Sequence, residues 1–208
     1  MEAVFRRVYG RNEGDFYQSE MEAIESFSFR RNSNSGDEYL VEIDDKSVQV
    51  YFDVVNEETF EDLRNCINLT YVRIEGLAPM NELENIDFLT DMTKLETLSL
   101  NGTPTKDLSA LGGLRNLREF SSMSSQRKDI SVLEGLEKLQ IVNLMGNQIE
   151  DITALATLVQ LEELNLAINN ITDYSPIYGL ENLQALSVNC SQEDMKEIKS
   201  NLPFCKIN

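Results

Sequence analysis

The sequence contains no histidine, few basic residues and no long apolar segment. Without histidine there is no imidazole for general acid–base catalysis, for a Ser-His triad or for a histidine-containing metal site. Neither a Walker loop nor a G-x-G-x-x-G motif is present. Carboxylates such as Glu162 and Glu163 are adjacent, so in extended chain they point apart and do not converge on one bond as in a glycosidase. We therefore expect a protein that is not an enzyme and that holds no metal and no cofactor.

Cysteine is also scarce, with only Cys66, Cys190 and Cys205, and no C-x-x-C pair. An odd number without metal-ligand spacing favours small buried side chains in a reducing compartment. A disulfide between Cys190 and Cys205 is the alternative that the sequence leaves open, since both lie near the C-terminus.

No apolar run approaches the roughly 18 residues of a membrane-spanning helix. The first thirty residues carry Glu13, Asp15, Glu20 and Glu22, which is not the basic-then-apolar order of a signal peptide. We expect a cytoplasmic protein, or a secreted one if a signal segment has been removed.

Acidic residues outnumber basic ones by 36 to 18, for a net charge of −18. Residues 1–35 contribute only −1, so the acidity belongs to the remainder of the chain. Such a field repels phosphates, which argues against nucleic acid and anionic membranes and favours a basic protein partner. The alternative is that the charge serves solubility and keeps the chain monomeric.

A 22-residue repeat organises residues 47–191, and residues 139–152 (LQIVNLMGNQIEDI) are its clearest copy. Regular repeats, which we call coils, begin at Leu95, Leu117, Leu139 and Leu161, and a partial coil begins at Leu183. A 26-residue coil begins at Leu69, and its four extra residues lie within 76–83, in a loop that either reaches over the sheet or packs against the cap. The segment 47–68 is a degenerate first coil, in which Val50 and Phe52 take the register of Leu98 and Leu100. The columns that recur in successive coils are Leu98, Phe120, Val142, Leu164, Leu186; Asp107, Asp129, Asp151, Asp173; and Leu111, Leu133, Leu155, Ile177.

The pattern L-x-x-L-x-L-x-x-N-x-I-x-D-I-x-x-L-x-x-L resembles the leucine-rich repeat, in the 22-residue form of the bacterial internalins and related cytosolic repeat proteins. The resemblance implies an α/β fold: a right-handed solenoid with a parallel β-sheet on its concave face and short 3₁₀ or extended segments opposite. The spacing of the leucines predicts the same stacked arrangement without reference to the family. Leu-x-Leu has a period of two, so both leucines point to one side of a strand, and only stacked coils can bury them.

Two columns depart from the family pattern. The asparagine column, which satisfies backbone groups at the turn, reads Thr103, Ser125, Asn147, Asn169 and Ser191. Because a hydroxyl lacks the second donor of an amide, we expect weaker or water-assisted hydrogen bonds at those coils. Ser122 stands in a leucine column, where it would leave a void and an unpaired hydroxyl. We expect Met123 to adjust and fill that void.

Both ends of the array look capped, which divides the chain into 1–46, 47–191 and 192–208. Ser19 and Glu22 form a capping box that predicts a helix over about 19–30, although Phe27 and Phe29 alternate with serine and favour a strand instead. Residues 38–54 read as a β-hairpin. At the other end, Ser191 begins a predicted helix, and residues 204–207 a closing strand.

The candidate site is the concave face, where the residues flanking the buried leucines point outward. An apolar centre between two acidic residues, rimmed by polar groups, is typical of a protein-binding patch. The candidate partner-binding residues are Tyr71, Arg73, Glu119, Met123, Ile141, Asn143, Met145, Glu163 and Asn165.

The sequence thus predicts a non-catalytic protein-interaction module. One specific form is an intracellular inhibitor or immunity-type protein steered onto a basic partner, and another is a scaffold subunit. The alternative is a cell-surface adhesion or ligand-binding domain of internalin type, which would need a signal peptide or an anchor.

Overall fold

The computed structural model describes residues 2–10, 18–31, 38–51, 57–76, 83–103 and 105–208. Across these ranges one ten-stranded sheet runs through the molecule, in the order β10-β9-β8-β7-β6-β5-β4-β1-β2-β3. The strands are β1 Ser26–Arg31, β2 Glu38–Ile43, β3 Lys46–Tyr51, β4 Tyr71–Glu75, β5 Thr97–Ser99, β6 Glu119–Ser121, β7 Ile141–Asn143, β8 Glu163–Asn165, β9 Ala185–Ser187 and β10 Lys206–Ile207. The α-helices are α1 Glu2–Val8, α2 Gln18–Glu22, α3 Glu57–Phe60 and α4 Gln192–Asn201.

Each coil from β4 to β8 combines one short parallel strand with one 3₁₀ helix on the opposite side, and a further 3₁₀ helix precedes β4. The 3₁₀ helices are Glu61–Asn65, Asp87–Leu89, Ser109–Gly113, Ser131–Leu133, Thr153–Thr157 and Ser175–Ile177. The predicted leucine column is confirmed by the strand pairing, because Leu98, Phe120, Val142, Leu164 and Leu186 are partners in successive strands. All five side chains are buried. The core is therefore a stack of aliphatic layers that no single coil could bury alone.

The aspartate column holds the start of four of the 3₁₀ helices. Each carboxylate accepts a hydrogen bond from the backbone N–H two residues later, at 2.8 Å in every case. The four carboxylates are those of Asp107, Asp129, Asp151 and Asp173. They cap the turn much as an N-cap side chain does in an α-helix.

The asparagine column forms direct hydrogen bonds between coils, even where it is not asparagine. Thr103 Oγ1 donates to the Ile74 carbonyl at 3.1 Å, and Ser125 Oγ donates to the Leu100 carbonyl at 2.9 Å. Asn147 Nδ2 donates to the equivalent carbonyl, of Ser122, at 2.7 Å. The expectation of a water-assisted bond at Thr103 and Ser125 is therefore wrong, because a hydroxyl at this position already reaches the preceding coil. Asn147 adds a second bond through its other hydrogen, to the Leu144 carbonyl at 2.8 Å.

The gap beside Ser122 is filled by Arg127, and the predicted filler, Met123, is only half-buried. Arg127 is 6% exposed and stands in the column of Ile149 and Ile171. Its Nε donates to Ser122 Oγ at 3.1 Å, and its Nη2 donates to the Thr103 carbonyl at 3.1 Å. Burial lowers the pKa of this guanidinium to about 10. The long side chain of Arg127, which aligns with Ile149 and Ile171, thus occupies the space left by Ser122 in the leucine column.

The first parallel strand is β1, and the assignment of Val50 to that position is wrong. Phe27 pairs with Val72, and Phe29 pairs with Ile74, whereas Val50 pairs with Tyr39 at the outer edge of the sheet. Phe52 lies outside the described residues. The reason is that the hairpin β2–β3 is an insertion within the first coil: it pairs antiparallel with β1 and leaves the place beside β4 to β1. The domain limits at residues 46 and 192 stay a prediction.

The convex side of that first coil is packed into the core, where Phe60, Leu63 and Cys66 are buried. The helix expected over 19–30 ends at Glu22, and the alternative strand is correct for the residues that follow. Phe27 and Phe29 are fully buried there, and the Phe29 ring lies 5.1 Å from that of Phe60. The alternation of Phe27 and Phe29 with serine thus predicts this segment better than the capping box does, because a strand places both large side chains in the core.

The predicted hairpin is confirmed, with Asp44 and Asp45 at its turn and Ile43 paired with Lys46. Asp44 has a positive φ of 52°, which such a tight turn requires. At the C-terminal end, Ser191 and Asp194 form the predicted capping box of α4, and β10 adds a parallel strand to β9. All three cysteines are free thiols, and Cys66 is buried.

Within the described ranges, no helix combines the length and apolarity needed to cross a membrane. The loop inserted in the 26-residue coil, at 77–82, lies outside the described residues.

Candidate functional site

All nine candidate residues lie on one face of the sheet, which we call the concave face. Its first row runs through the strand starts, its second row through the strand ends, and its third row through the residues that follow two positions later. Strand pairing places the members of the first two rows side by side. The first row is Tyr71, Thr97, Glu119, Ile141, Glu163 and Ala185. The second row is Arg73, Ser99, Ser121, Asn143, Asn165 and Ser187. The third row is Glu75, Asn101, Met123, Met145, Ala167 and Asn189.

The N-terminal part of this face is an internal polar network centred on Glu75. Arg73 Nε lies 2.9 Å from Glu75 Oε2, while Ser99 Oγ and Asn101 Nδ2 donate to Glu75 Oε1 at 2.6 and 2.8 Å. Ser121 Oγ donates in turn to Asn101 Oδ1 at 2.7 Å. Because Glu75, Ser99, Asn101 and Ser121 hydrogen-bond to one another across neighbouring coils, they rigidify this part of the sheet. Arg73, a candidate partner contact, is thus already paired within the protein.

Glu75 is the centre of that network, and two opposing effects act on its ionisation. Burial raises the pKa of its carboxyl, but the hydrogen bonds from Ser99 and Asn101 and the ion pair with Arg73 together lower it below its usual value. The carboxylate therefore stays charged at neutral pH and links β4 to the β5 segment.

The central part of the face is different, because it presents apolar side chains and unpaired charges. Ile141 is 36% exposed, and Met123 and Met145 are half-buried. Glu119 and Glu163 flank Ile141 on the adjacent strands, are exposed, and form no ion pair within the described part of the chain. Among the candidate residues that the structure describes, these side chains are the ones that combine exposure with the absence of an ion pair.

Asn143 and Asn165 divide their polar atoms between fold and surface. Their side-chain oxygens accept hydrogen bonds from the backbone N–H groups of Met145 and Ala167, at 3.2 and 3.1 Å. Their amide nitrogens donate to nothing in the ranges that the structure describes. The carbonyl oxygens thus fix the turn after each strand, and the amide groups remain available as donors.

A shallow groove of about 410 Å³ extends the face beyond the strand ends. It is lined by Arg30, Arg31, Glu75, Gly76, Asn101, Gly102, Met123, Ser124 and Met145. Arg30 is paired with Glu42 at 2.8 Å. The third row therefore forms the inner wall of this groove, and Met123 and Met145 belong both to it and to the apolar centre.

One surface residue beside this face was missed by the sequence reasoning. Ile168 is 64% exposed and has a positive φ of 58°, although β-branched residues rarely adopt that conformation. The same turn in earlier coils is occupied by Gly102, Ser124 and Gly146, which also have positive φ. The signal was present in the sequence, since Ile168 aligns with these glycines at intervals of 22 and 66 residues.

In a chain without histidine, the acidic and cysteine side chains are the groups that could hold a metal ion. Among the described residues, no group of three or more Cys, Asp or Glu side chains is placed to hold a metal ion. The largest pKa shifts, at Cys66, Arg127 and Tyr174, arise mainly from burial in the core.

Comparison with known proteins gives a structural likeness only. No family model matches the chain, and no curated protein matches it. Among solved structures, an internalin (inlF) from Listeria monocytogenes matches 99% of this chain with a TM-score of 0.67 and 20% identity. The chain spans 54% of that protein. An internalin C2 from the same organism matches 100% of this chain and 92% of its own length, with a TM-score of 0.62 and 22% identity.

These likenesses agree with the repeat pattern, the parallel strand pairing and the 3₁₀ helices described above. The chain has the leucine-rich repeat fold of the internalin type.

Proposed function

We propose that the protein is a non-catalytic interaction module that binds another protein on its concave face. The observation that carries this proposal is the exposed Ile141, set between Glu119 and Glu163, with the half-buried Met123 and Met145 two rows away on the same face. Exposed apolar groups rimmed by polar and charged ones are typical of protein-binding surfaces. The rigid sheet beneath them favours binding, because little conformational entropy is lost when the partner docks.

The partner that fits best is a basic protein. The chain carries a net charge of −18, and the two acidic residues of the apolar centre lack internal partners in the described part of the chain. A field of one sign steers an oppositely charged partner toward the site and accelerates association. We propose that the protein acts as a cytoplasmic monomer, either as an inhibitor or immunity-type protein or as a scaffold subunit.

The second candidate is a cell-surface adhesion or ligand-binding domain. What favours it is the likeness to two internalin structures, which is a likeness of fold. An export signal or a wall anchor in the complete coding sequence would distinguish this candidate from the first. A neighbouring gene for a basic toxin would favour the inhibitor.

The direct test is affinity capture from the source organism with the wild-type chain and two variants. Ile141→Asp combined with Met145→Asp places two charges in the apolar centre and should abolish capture of the specific partner. Val159→Asp is the matched control, since Val159 is an exposed apolar residue (51%) that is not on the concave face. Circular dichroism should show that both variants keep the fold. Equal capture of the same proteins by all three chains would show that the concave face is not the binding site.

A further inference from the structure

The second row of the concave face forms the floor of a trough. Its central members are Ser121, Asn143, Asn165 and Ser187, which are short and polar. Ile141 stands on one side of this floor and Met145 on the other, four residues further along the same chain segment. Because β7 ends at Asn143 and Met145 lies in the turn that follows, the two sides are at most roughly 13 Å apart, the length of four extended residues. An α-helix with its side chains is about 10–12 Å wide, so a helix laid across the strands covers the floor and reaches the side chains on both sides.

The spacing along the trough also matches a helix. Glu119, Ile141 and Glu163 are register partners in three adjacent strands, which are about 4.8 Å apart. The two carboxylates are therefore separated by roughly 9.6 Å, with the isoleucine midway. Helical residues seven apart are about 10.5 Å apart along the axis, and those three apart about 4.5 Å. In an extended strand, residues on one face are about 6.7 Å and then about 13 Å apart, which fits neither interval.

The charges on this face indicate which kind of helix would bind it. Glu119 and Glu163 are exposed and have no ion-pair partner in the described part of the chain, and the intervening residue is apolar. A helix that satisfies this row carries Lys or Arg at positions i and i+7 and an apolar residue at i+3 or i+4. The amide donors of Asn143 and Asn165 then meet polar side chains on the helix face that lies on the floor.

We infer that the concave face binds a basic amphipathic α-helix of its partner, lying across the strands from β6 to β8. This inference rests on the proposed function and specifies the partner's recognised element. It commits to one register, in which basic side chains meet Glu119 and Glu163 and an apolar side chain packs on Ile141 and toward Met145.

The test is selection from a displayed library of random 20-residue peptides on the complete chain. Counter-selection uses the Ile141→Asp/Met145→Asp variant, so only peptides that need the apolar centre survive. We expect enriched peptides with two basic residues seven apart and an apolar residue between them, and helical circular dichroism on binding. Glu119→Gln with Glu163→Gln should weaken these peptides about three- to tenfold, as expected for two exposed ion pairs.

The matched control for charge is Glu137→Gln with Glu181→Gln, which changes the net charge equally at two exposed positions away from the sheet. It should leave the affinity within a factor of two. Selected peptides that need Ile141 but are extended, proline-rich or acidic would contradict the inference of a basic helix, while still supporting the concave face as the binding site. Selection that yields no peptide distinguishing the wild type from the counter-selection variant would overturn the inference, while the capture experiment tests the site itself.

Discussion

Arg127 is a buried cation whose two hydrogen-bond acceptors in the described structure are a hydroxyl and a backbone carbonyl. Taking a guanidinium out of water is costly, and its lowered pKa expresses that cost. The side chain is accommodated because the neighbouring leucine layer contains the small residue Ser122, to which Arg127 Nε donates. Arg127 therefore fits the core only beside a small residue at position 122, and Ser122 leaves no void only beside the long side chain of Arg127.

This dependence predicts strong coupling between the two positions. Arg127→Ile alone should destabilise the protein by about 1–3 kcal/mol, because it empties the space beside Ser122 and leaves that hydroxyl unpaired. Ser122→Leu alone should also destabilise it, by overpacking against Arg127. The double substitution restores two aliphatic columns and should be at least as stable as the wild type. Urea unfolding of the four proteins measures the cycle, and additive effects would contradict the coupling.

Ile168 is the other residue that departs from its column. Backbone in the left-handed region costs a β-branched residue about 1–3 kcal/mol, and its side chain gains little from burial because it is 64% exposed. The Asn189 side-chain oxygen accepts the Ile168 N–H at 2.7 Å and helps to hold this conformation.

Replacing Ile168 by glycine should therefore raise the free energy of unfolding by about 1 kcal/mol, since the strain exceeds the entropic cost of glycine. Val159→Gly is the control, because Val159 is also exposed but does not have a positive φ. That variant should be destabilised by about 0.5–1 kcal/mol. Chemical denaturation measures both, and the same sign in the two variants would argue against strain at Ile168.

At the scale of elements, the aspartate caps connect stability to pH. Hydrogen bonds from the backbone and side chain two residues later lower the pKa of Asp107, Asp129, Asp151 and Asp173. A carboxyl whose folded pKa lies below its unfolded value of about 3.9 stabilises the fold above that value. This contribution is lost as the pH falls through the folded pKa.

We therefore expect the melting temperature to fall steeply below about pH 4, and the fall to be smaller in Asp151→Asn, which removes one of the titrating caps. Glu137→Gln is the control, because Glu137 is exposed and caps no helix. Differential scanning calorimetry across pH 2–6 gives the two slopes. Equal slopes for both variants would show that the caps do not carry the acid dependence.

The C-terminal cap is held by one fully buried side chain of α4, that of Ile198. Ile198→Ala should cost about 2–4 kcal/mol through lost burial and the cavity that remains. Lys196→Ala, on the exposed side of the same helix, should change stability by less than about 0.5 kcal/mol. Thermal unfolding compares them, and a small effect at Ile198 would mean that β10 alone closes the array.

At the scale of the whole molecule, the sheet is continuous from the N-terminal hairpin to β10. Its contacts are made between successive coils, so stability is nearly one-dimensional and the two ends are the weakest points. The aromatic cluster of Phe27, Phe29, Phe60 and Phe88 protects one end, and α4 protects the other.

The net charge of −18 gives the molecule a long-range field as well as a binding face. Association with a basic partner should therefore slow at least tenfold between 50 and 500 mM salt, because screening shortens the Debye length from about 14 Å to about 4 Å. Dissociation should change much less. Stopped-flow kinetics with a helix-forming basic peptide measures both rates, and a flat salt dependence would exclude steering.

The residues alone determined the repeat, the buried columns and the outward rows of the concave face. Each of these follows from local alternation repeated every 22 residues, and stacking leaves such a pattern only one way to bury its leucines. Tertiary structure decided which strand begins the array, since β1 reaches β4 across 45 residues and displaces the hairpin that the register favoured. It also decided that Arg127 fills the gap beside Ser122 and that Arg73 is paired internally. Those outcomes depend on volume and hydrogen-bond partners brought together between coils, and linear spacing does not encode them.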